Sequence, residues 1–231
     1  MNIKAIVCDL EGVLLDIDYT AVFNSFQRYR KGPPIKYSGK FKELCVQYDT
    51  GLISTEQMFN AFKALYQWHD LSYVNFTSAW NSMLLTISDD KFEYLMRLKN
   101  KGIKLVLLSN INELHAENVL NTYRIPLYQL FDRVIFSYQV NALKPSPQAF
   151  NLALNFLGKA GIDAAEILFV DDSIDNINAA VEQHMQTVTY PLNGKTKDGA
   201  PLSFSHYVGS FFNSSSRTEI VDANIATLEL S

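Results

Sequence analysis

Short runs of apolar residues, set among helical patterns, constrain the fold of this chain more than any other feature. Five runs occur, at residues 4–8, 104–108, 133–136, 167–170 and 187–190. Continuous apolar runs are typical of strands whose two faces are both covered, as in a parallel sheet. Helical patterns occupy residues 89–101, 113–122, 147–157 and 172–183. We therefore predict an α/β fold with a doubly wound, Rossmann-like parallel sheet as its core.

The segment between the first and second apolar runs is too long to be a single crossover helix. About ninety residues separate them, whereas a crossover connection needs about a dozen. This segment is rich in aromatic residues and carries helical patterns at residues 22–30, 41–48, 55–68 and 74–84. We predict a helical cap subdomain at residues 16–87, inserted into a core made of residues 1–15 and 88–231. Residues 213–216 are polar and predict a mobile tail.

Composition and charge argue against several classes of protein. The chain has 20 Lys and Arg against 24 Asp and Glu, a net charge of −4, and its basic residues are scattered. We therefore expect no nucleic-acid surface. Its two cysteines, Cys8 and Cys45, have no C-x-x-C partner, so a zinc site or disulfide framework is not expected. No apolar run approaches about 18 residues, and we expect a cytoplasmic protein without a membrane span. The sequence does not indicate an oligomeric state.

Polar residues follow the predicted strands at their carboxyl ends, where parallel sheets bind ligands. They are Asp9 and Glu11 after the first run, Ser109 and Asn110 after the second, Lys144 after the third, and Asp171 and Asp172 after the fourth. Two carboxylates at the end of a buried strand are costly unless a cation or a reacting group uses them. Acids, a hydroxyl, an amide and one lysine at one edge suit phosphoryl transfer, with Mg²⁺ to neutralise the phosphoryl oxygens.

These residues stand in four motifs that resemble those of the haloacid dehalogenase superfamily of phosphatases. The motifs are Asp9-Leu-Glu-Gly-Val-Leu, Leu-Leu-Ser109-Asn110, Leu-Lys144-Pro-Ser-Pro, and Phe-Val-Asp171-Asp172-Ser-Ile-Asp-Asn176. The helical insertion between the first two motifs is similar to the first class of cap in this family. Residues 48–56 and 109–115 further resemble the branch that contains α-D-glucose-1-phosphate phosphatase.

The resemblance implies a role for each residue that would meet the substrate. Asp9 would be the nucleophile that forms an aspartyl phosphate, and Glu11 would protonate the leaving oxygen and then activate water. Ser109, Asn110 and Lys144 would hold the phosphoryl oxygens. The implied activity is hydrolysis of a small phosphorylated metabolite, in particular a sugar phosphate.

The resemblance also implies a Mg²⁺ site. Asp9, the backbone carbonyl of Glu11 and Asp172 would bind the ion, with Asp171 adjacent to it. Asn176 would brace the loop that follows the fourth strand. The implied enzyme is thus a Mg²⁺-dependent phosphatase.

Glu11 departs from the usual pattern, since most phosphatases of the family have Asp at this position. Dehalogenases usually have an aromatic residue there, so Glu11 argues against dehalogenation, and some family phosphatases resemble this chain in having Glu. Two alternatives stay open beside the phosphatase. One is a phosphomutase of the same fold, and the other is a catalytically impaired binding or regulatory protein.

Several other side chains near the motifs have less certain roles from sequence. His115 is predicted to lie on a helix surface or to cap a helix, with a place at the site entrance as the alternative. Tyr19, Phe23 and Tyr48 are predicted to pack in a core, with contact to the leaving group as the alternative. His184 stands where relatives often have Gly at a helix end, so we expect a local backbone adjustment there.

Overall fold

A computed structural model describes residues 2–195, 199–209 and 211–212 of the chain. The predicted polar tail at residues 213–216 lies outside these ranges. The strands are β1 (Ala5–Cys8), β2 (Leu15–Ile17), β3 (Leu84–Ile87), β4 (Lys104–Ser109), β5 (Arg133–Phe136), β6 (Ile167–Asp171) and β7 (Gln186–Thr189). The helices are α1 (Tyr19–Tyr29), α2 (Gly39–Asp49), α3 (Thr55–Leu65), α4 (Tyr73–Asn81), α5 (Asp89–Asn100), α6 (Glu113–Leu130), α7 (Ser137–Val140), α8 (Pro147–Gly158), α9 (Ile174–Glu182) and α10 (Phe204–Gly209).

The central sheet has five parallel strands in the order β5-β4-β1-β6-β7. Each of the five apolar runs forms one of these strands, and no limit shifts by more than one residue. The predicted α/β fold with a parallel sheet is therefore confirmed. The strand order reverses direction around β1, so the crevice at the carboxyl ends of β1, β4 and β6 is where this type of sheet binds ligands.

Helices cover both faces of the sheet, as the continuous apolar strands require. Ile6 and Cys8 of β1 belong to a core shared with residues of α5, α6 and α10. Ala5 and Val7, which point to the other face, belong to a second core shared with residues of α8 and α9. The period-two alternation of one strand thus supplies both cores.

Helices α1 to α4 pack around an aromatic core of their own, between β1 and β4 in the chain. The rings of Phe26 and Phe62 stack with their centroids 4.7 Å apart. Tyr48 is fully buried in this core, as predicted, and Phe23 packs against it. Helix α3 begins with a capping box in which Ser54 and Gln57 satisfy each other's backbone N–H groups.

Strands β2 and β3 pair antiparallel at the two ends of this helical insertion. The sequence does not predict this pair, and the helical pattern at residues 74–84 continues past Asn81, where α4 ends. Neither strand has an apolar run long enough to identify it, and the pairing of Leu15 with Ile87 joins segments far apart in the chain. The division of the chain at residues 16 and 87 stays a prediction.

Helix α6 is longer than predicted, because it continues beyond residue 122 and through Pro126 to Leu130. A proline inside a helix costs about 3 kcal/mol. Leu127 and Leu130 are both fully buried, and burying two such side chains contributes roughly 3–6 kcal/mol. Packing on the sheet therefore offsets the proline.

His184 adopts the left-handed conformation, with φ at +64°, directly after Gln183, the C-cap of α9. Its N–H bonds to the Val181 carbonyl oxygen, and the Met185 N–H bonds to that of Ala180. This pair of bonds is the Schellman motif, which usually has Gly at the left-handed position. The expected backbone adjustment is therefore a left-handed histidine.

Among the described residues, no helix combines the length and the apolar character needed to cross a membrane.

Candidate active site

The candidate site lies at the carboxyl edge of the central sheet. Asp9 follows β1, Ser109 ends β4 and Asp171 ends β6. Cys8 of β1 pairs with Leu107 of β4 on one side and with Val170 of β6 on the other. Because these strands are parallel neighbours, the polar residues at their ends come to one place.

Lys144 joins two of these strand ends by ion pairs. Its Nζ lies 2.8 Å from Asp9 Oδ1 and 2.7 Å from Asp171 Oδ2. Burial lowers the pKa of Lys144, but the two carboxylates outweigh it and raise the pKa above its usual value. Lys144 is therefore a buried cation at neutral pH.

Asp9 is held so that its two carboxylate oxygens differ. Oδ1 accepts a hydrogen bond from the Leu10 N–H at 2.7 Å in addition to its contact with Lys144. Among the described residues, no hydrogen bond or ion pair to Oδ2 is present, so Oδ2 is free to react. Burial raises the pKa of Asp9, Lys144 opposes the rise, and Asp171 adds to it.

Asp9, Asp171 and Asp172 form a carboxylate cluster in which one oxygen of each lies within 4.8 Å of the others. Among the described residues, Lys144 is the one cation paired with this cluster, so two negative charges are uncompensated when all three carboxylates are ionised. Burial, followed by Asp171, raises the pKa of Asp172 to about 6. Closely spaced oxygen ligands with this excess charge fit a hard divalent cation.

Asp171 and Asp172 differ in what already binds them. Asp171 Oδ1 accepts hydrogen bonds from the Ser173 N–H and from Asn176 Nδ2, both at 2.9 Å, while Oδ2 binds Lys144. Asn176 therefore braces this loop, as predicted. With both Asp171 oxygens engaged, Asp172 is the better placed of the two to bind a cation directly.

Ser109 carries an unusual buried hydroxyl. It is 1% exposed, and its Oγ has no hydrogen-bond partner among the described residues. A buried polar group without a partner costs about 1–3 kcal/mol. A ligand oxygen at this edge of the sheet would remove that cost.

Asn110 acts on Lys144 through two hydrogen bonds to its backbone. Asn110 Nδ2 donates to the Lys144 carbonyl at 2.7 Å, and Asn110 Oδ1 accepts from the Lys144 N–H at 2.8 Å. The side chain is thus occupied in placing Lys144. The predicted contact of Asn110 with a phosphoryl oxygen therefore stays a prediction, and would have to use its backbone N–H.

Glu11 lies beside the carboxylate cluster and is not one of its three acids. Its Oε1 lies 3.0 Å from His115 Nδ1. His115 is 3% exposed, so its predicted place on a helix surface is wrong. Burial lowers the pKa of His115, but Glu11 and the hydrogen bond to the Trp80 carbonyl outweigh it and raise the pKa.

Comparison with protein families identifies the chain. Residues 3–182 match the model of the haloacid dehalogenase-like hydrolases. The chain belongs to this family of hydrolases. The predicted superfamily, and with it the prediction of an enzyme, is therefore confirmed.

Relatives of this hydrolase include named phosphatases. It is 25% identical to D-ribitol-5-phosphate phosphatase of Bacteroides thetaiotaomicron, over 83% of this chain and 93% of the relative. It is 24% identical to a phosphatase of Mycobacterium tuberculosis, over 89% of this chain and 95% of the relative. A solved structure of a HAD family enzyme from Bacteroides thetaiotaomicron, in complex with magnesium and inorganic phosphate, is 26% identical, with a TM-score of 0.71 over 85% of this chain and 98% of that one.

The structure of this hydrolase also brings Asp49, at the end of α2, to the site. Asn112 Nδ2 donates to Asp49 Oδ1 at 3.1 Å. Burial raises the pKa of Asp49 to about 6, and the nearby Glu11 adds to the rise. Nothing local to residue 49 indicated this, because Asp49 belongs to the helical insertion and meets Asn112 only in the fold.

Tyr19 is exposed over 55% of its surface, so its predicted place in a core is wrong. Partial burial raises the pKa of its hydroxyl, and the carboxylates of Asp172 and Glu11 add to the rise. The hydroxyl is therefore within electrostatic range of these two acids. For His115 a sequence signal did exist, because it lies in the first turn of the helix that follows β4 and so at the active edge of the sheet.

Proposed function

We propose that this hydrolase is a Mg²⁺-dependent phosphatase that acts on a small phosphorylated sugar or polyol. The observation that carries the proposal is the unpartnered Ser109 hydroxyl, buried at the same edge as the Asp9–Lys144 ion pair and the carboxylate cluster. A tetrahedral phosphoryl group would supply acceptors for Ser109 and Lys144 together. The phosphatases among the relatives support the same reaction.

The free oxygen of Asp9 is the nucleophile in this proposal. Oδ2 forms a bond to phosphorus while the bond from phosphorus to the leaving oxygen breaks, giving an aspartyl phosphate. Lys144 and Ser109 hold the phosphoryl oxygens during the transfer. A Mg²⁺ ion on Asp9, Asp172 and the Glu11 carbonyl, with Asp171 adjacent, would supply further charge neutralisation.

Glu11 supplies acid and base catalysis. Its protonated carboxyl gives a proton to the leaving oxygen, and the carboxylate then takes a proton from the water that attacks phosphorus. The bond from phosphorus to Asp9 breaks, which releases phosphate and restores the enzyme. Acid–base help of this kind contributes about 10²–10⁴-fold in rate.

The substrate class follows from two resemblances that share one chemical feature. Residues 48–56 and 109–115 resemble the glucose-1-phosphate phosphatase branch, and one relative acts on D-ribitol 5-phosphate. Both substrates carry a polyhydroxylated leaving group. Helices α1 to α4 would act as a cap of the first class that excludes water and selects this group.

Phosphate release from a panel of sugar and polyol phosphates and an aryl phosphate, with and without Mg²⁺, tests the proposal. Asp9→Asn keeps the size of the side chain but removes the nucleophilic carboxylate, so we expect turnover to fall at least about a thousandfold. Asp70→Asn makes the same change at an exposed position and should leave activity intact. Full activity of Asp9→Asn would contradict the proposal.

Product analysis with a hexose 1-phosphate separates hydrolysis from isomerisation. The proposal expects free phosphate and free sugar in equal amounts. A hexose phosphate isomer without free phosphate would instead identify a phosphomutase.

A further inference from the structure

His115 is placed between the acid–base residue and the helical insertion. Nδ1 lies 3.0 Å from Glu11 Oε1, and Nε2 lies 3.2 Å from the backbone carbonyl oxygen of Trp80 in α4. A carbonyl oxygen can only accept a hydrogen bond, so Nε2 carries a hydrogen. Nδ1 is hydrogen-bonded to the Glu11 carboxyl group, so both ring nitrogens are engaged.

The histidine is held rigidly in this place. The Asn112 side chain caps the first turn of α6 by accepting the His115 N–H at 3.0 Å. His115 is 3% exposed, and the centroid of its imidazole lies 6.3 Å from the centroid of the Trp80 ring. A buried ring with both nitrogens engaged has little freedom to move.

We propose that His115 is the positioning residue that holds Glu11 for acid–base catalysis and ties its orientation to helix α4. This inference rests on the proposed phosphatase function. His115 binds Oε1, and no other described residue has a hydrogen bond or ion pair to Oε2, so Oε2 can meet the leaving oxygen and later the water. In this arrangement Glu11 exchanges the proton with the substrate and the water, and His115 positions it.

The length of the glutamate explains the need for such a residue. Glu has one more rotatable bond than Asp, so an unrestrained Glu11 samples more orientations of its carboxylate. Misplacing a reacting group by about 1 Å can cost about a hundredfold in rate. A fixed donor at Oε1 removes this freedom. Because the other ring nitrogen binds the Trp80 carbonyl of α4, the ring that holds Glu11 also contacts the helical insertion.

The test compares two substrates that need acid catalysis to different degrees. An alkyl phosphate has a poor leaving group and needs the proton from Glu11, whereas an aryl phosphate leaves readily without it. We expect His115→Ala to lower kcat/KM for a sugar phosphate about tenfold to a hundredfold and to change kcat/KM for the aryl phosphate less than about threefold. A general disruption of the site would lower both equally and would overturn the inference.

Two conservative variants separate the two contacts of the ring. The amide of His115→Asn places a donor near the position of Nδ1 and should restore most of the sugar-phosphate activity. The amide of His115→Gln reaches toward the Trp80 carbonyl and should restore little. The reverse order would overturn the claim that the contact with Glu11 matters. His69→Ala, at an exposed histidine, serves as the control.

A double-mutant comparison shows whether His115 acts through Glu11. In a Glu11→Gln background, His115→Ala should cause no further loss in kcat/KM for the sugar phosphate, because the group that it positions is gone. A full additional loss would overturn the inference, as would a gain in activity from His115→Ala alone. Wild-type hydrolysis of the aryl phosphate that depends on Asp9 establishes the phosphatase function separately, so its failure is distinguishable.

Discussion

The surroundings of single residues, more than their chemical type, separate the carboxylates of this protein. Asp171 has both oxygens hydrogen-bonded or paired, whereas Asp49 accepts a single amide hydrogen bond at 3.1 Å, from Asn112. Asp18 is half-buried and caps α1, and its hydrogen bonds to Thr20 lower its pKa. Burial has the opposite effect on Asp49 and raises its pKa to about 6.

We predict that Asp49→Asn stabilises the protein at neutral pH and not at acidic pH. The folded-state pKa of about 6 lies above the ordinary value of 3.8, so the folded protein binds the proton more tightly than the unfolded chain. The free energy of unfolding therefore falls as pH rises from about 4 to 6, by on the order of 3 kcal/mol, and stays low above that range.

Denaturant unfolding of both proteins between pH 4 and pH 8 measures this effect. The free energy of unfolding of the variant, relative to that of the wild type, should increase as pH rises to 6. Above pH 6 the difference between the two proteins should stay constant. A stability difference between the two proteins that does not depend on pH would contradict the raised pKa of Asp49.

At the scale of elements, the loop from α2 to α3 is hydrogen-bonded to the core beside the active site. Ser137 Oγ donates to the Asp49 carbonyl at 2.6 Å, and Asn141 Nδ2 donates to the Thr50 carbonyl at 2.9 Å. Gly51 has φ at +71°, and a Cβ atom there would overlap the Tyr138 backbone carbonyl. The close approach of two backbone segments holds Asp49 at the site.

Gly51→Ala should weaken this attachment strongly. Neither backbone segment can yield easily, and a left-handed alanine is strained as well. We expect a loss of at least about 2 kcal/mol in the free energy of unfolding. Gly39→Ala is the matched control, because a Cβ at Gly39 meets nothing within 4 Å. Equal stability of the two variants would show that the loop is not held this tightly.

At the scale of the whole molecule, a divalent cation would join segments that are distant in the chain. Asp9 and Asp172 follow neighbouring strands β1 and β6, and their repulsion opposes folding in the absence of a cation. A ligand that binds only the folded state stabilises it in proportion to the logarithm of its concentration. The active site is thus a place where metal binding and folding are linked.

Mg²⁺ should therefore raise the melting temperature of the wild type. At a hundred times the dissociation constant, the gain is about 2.7 kcal/mol. We expect Asp172→Asn to abolish most of the shift, because it removes an anionic ligand. Thermal unfolding with Mg²⁺ and with a chelator measures the effect, and an unchanged shift in Asp172→Asn would contradict the proposed site.

The sequence by itself determined the sheet and the edge on which the site is built. An apolar run such as residues 167–170 indicates a buried strand, because a strand covered on both faces must be apolar throughout. Parallel strands share an edge, so Asp9, Ser109 and Asp171 could be placed together from their positions after these runs.

Only the tertiary structure decided what each of these groups contacts. The β2–β3 pair and the continuation of α6 past Pro126 depend on partners elsewhere in the chain. The contact of Glu11 with His115 joins residues 104 positions apart. Asp49 is partly buried because the helical insertion packs against the core. Local sequence patterns indicate which segments are buried and where strands end. Contacts between distant segments form only when those segments pack together. This packing determines how Glu11 is held.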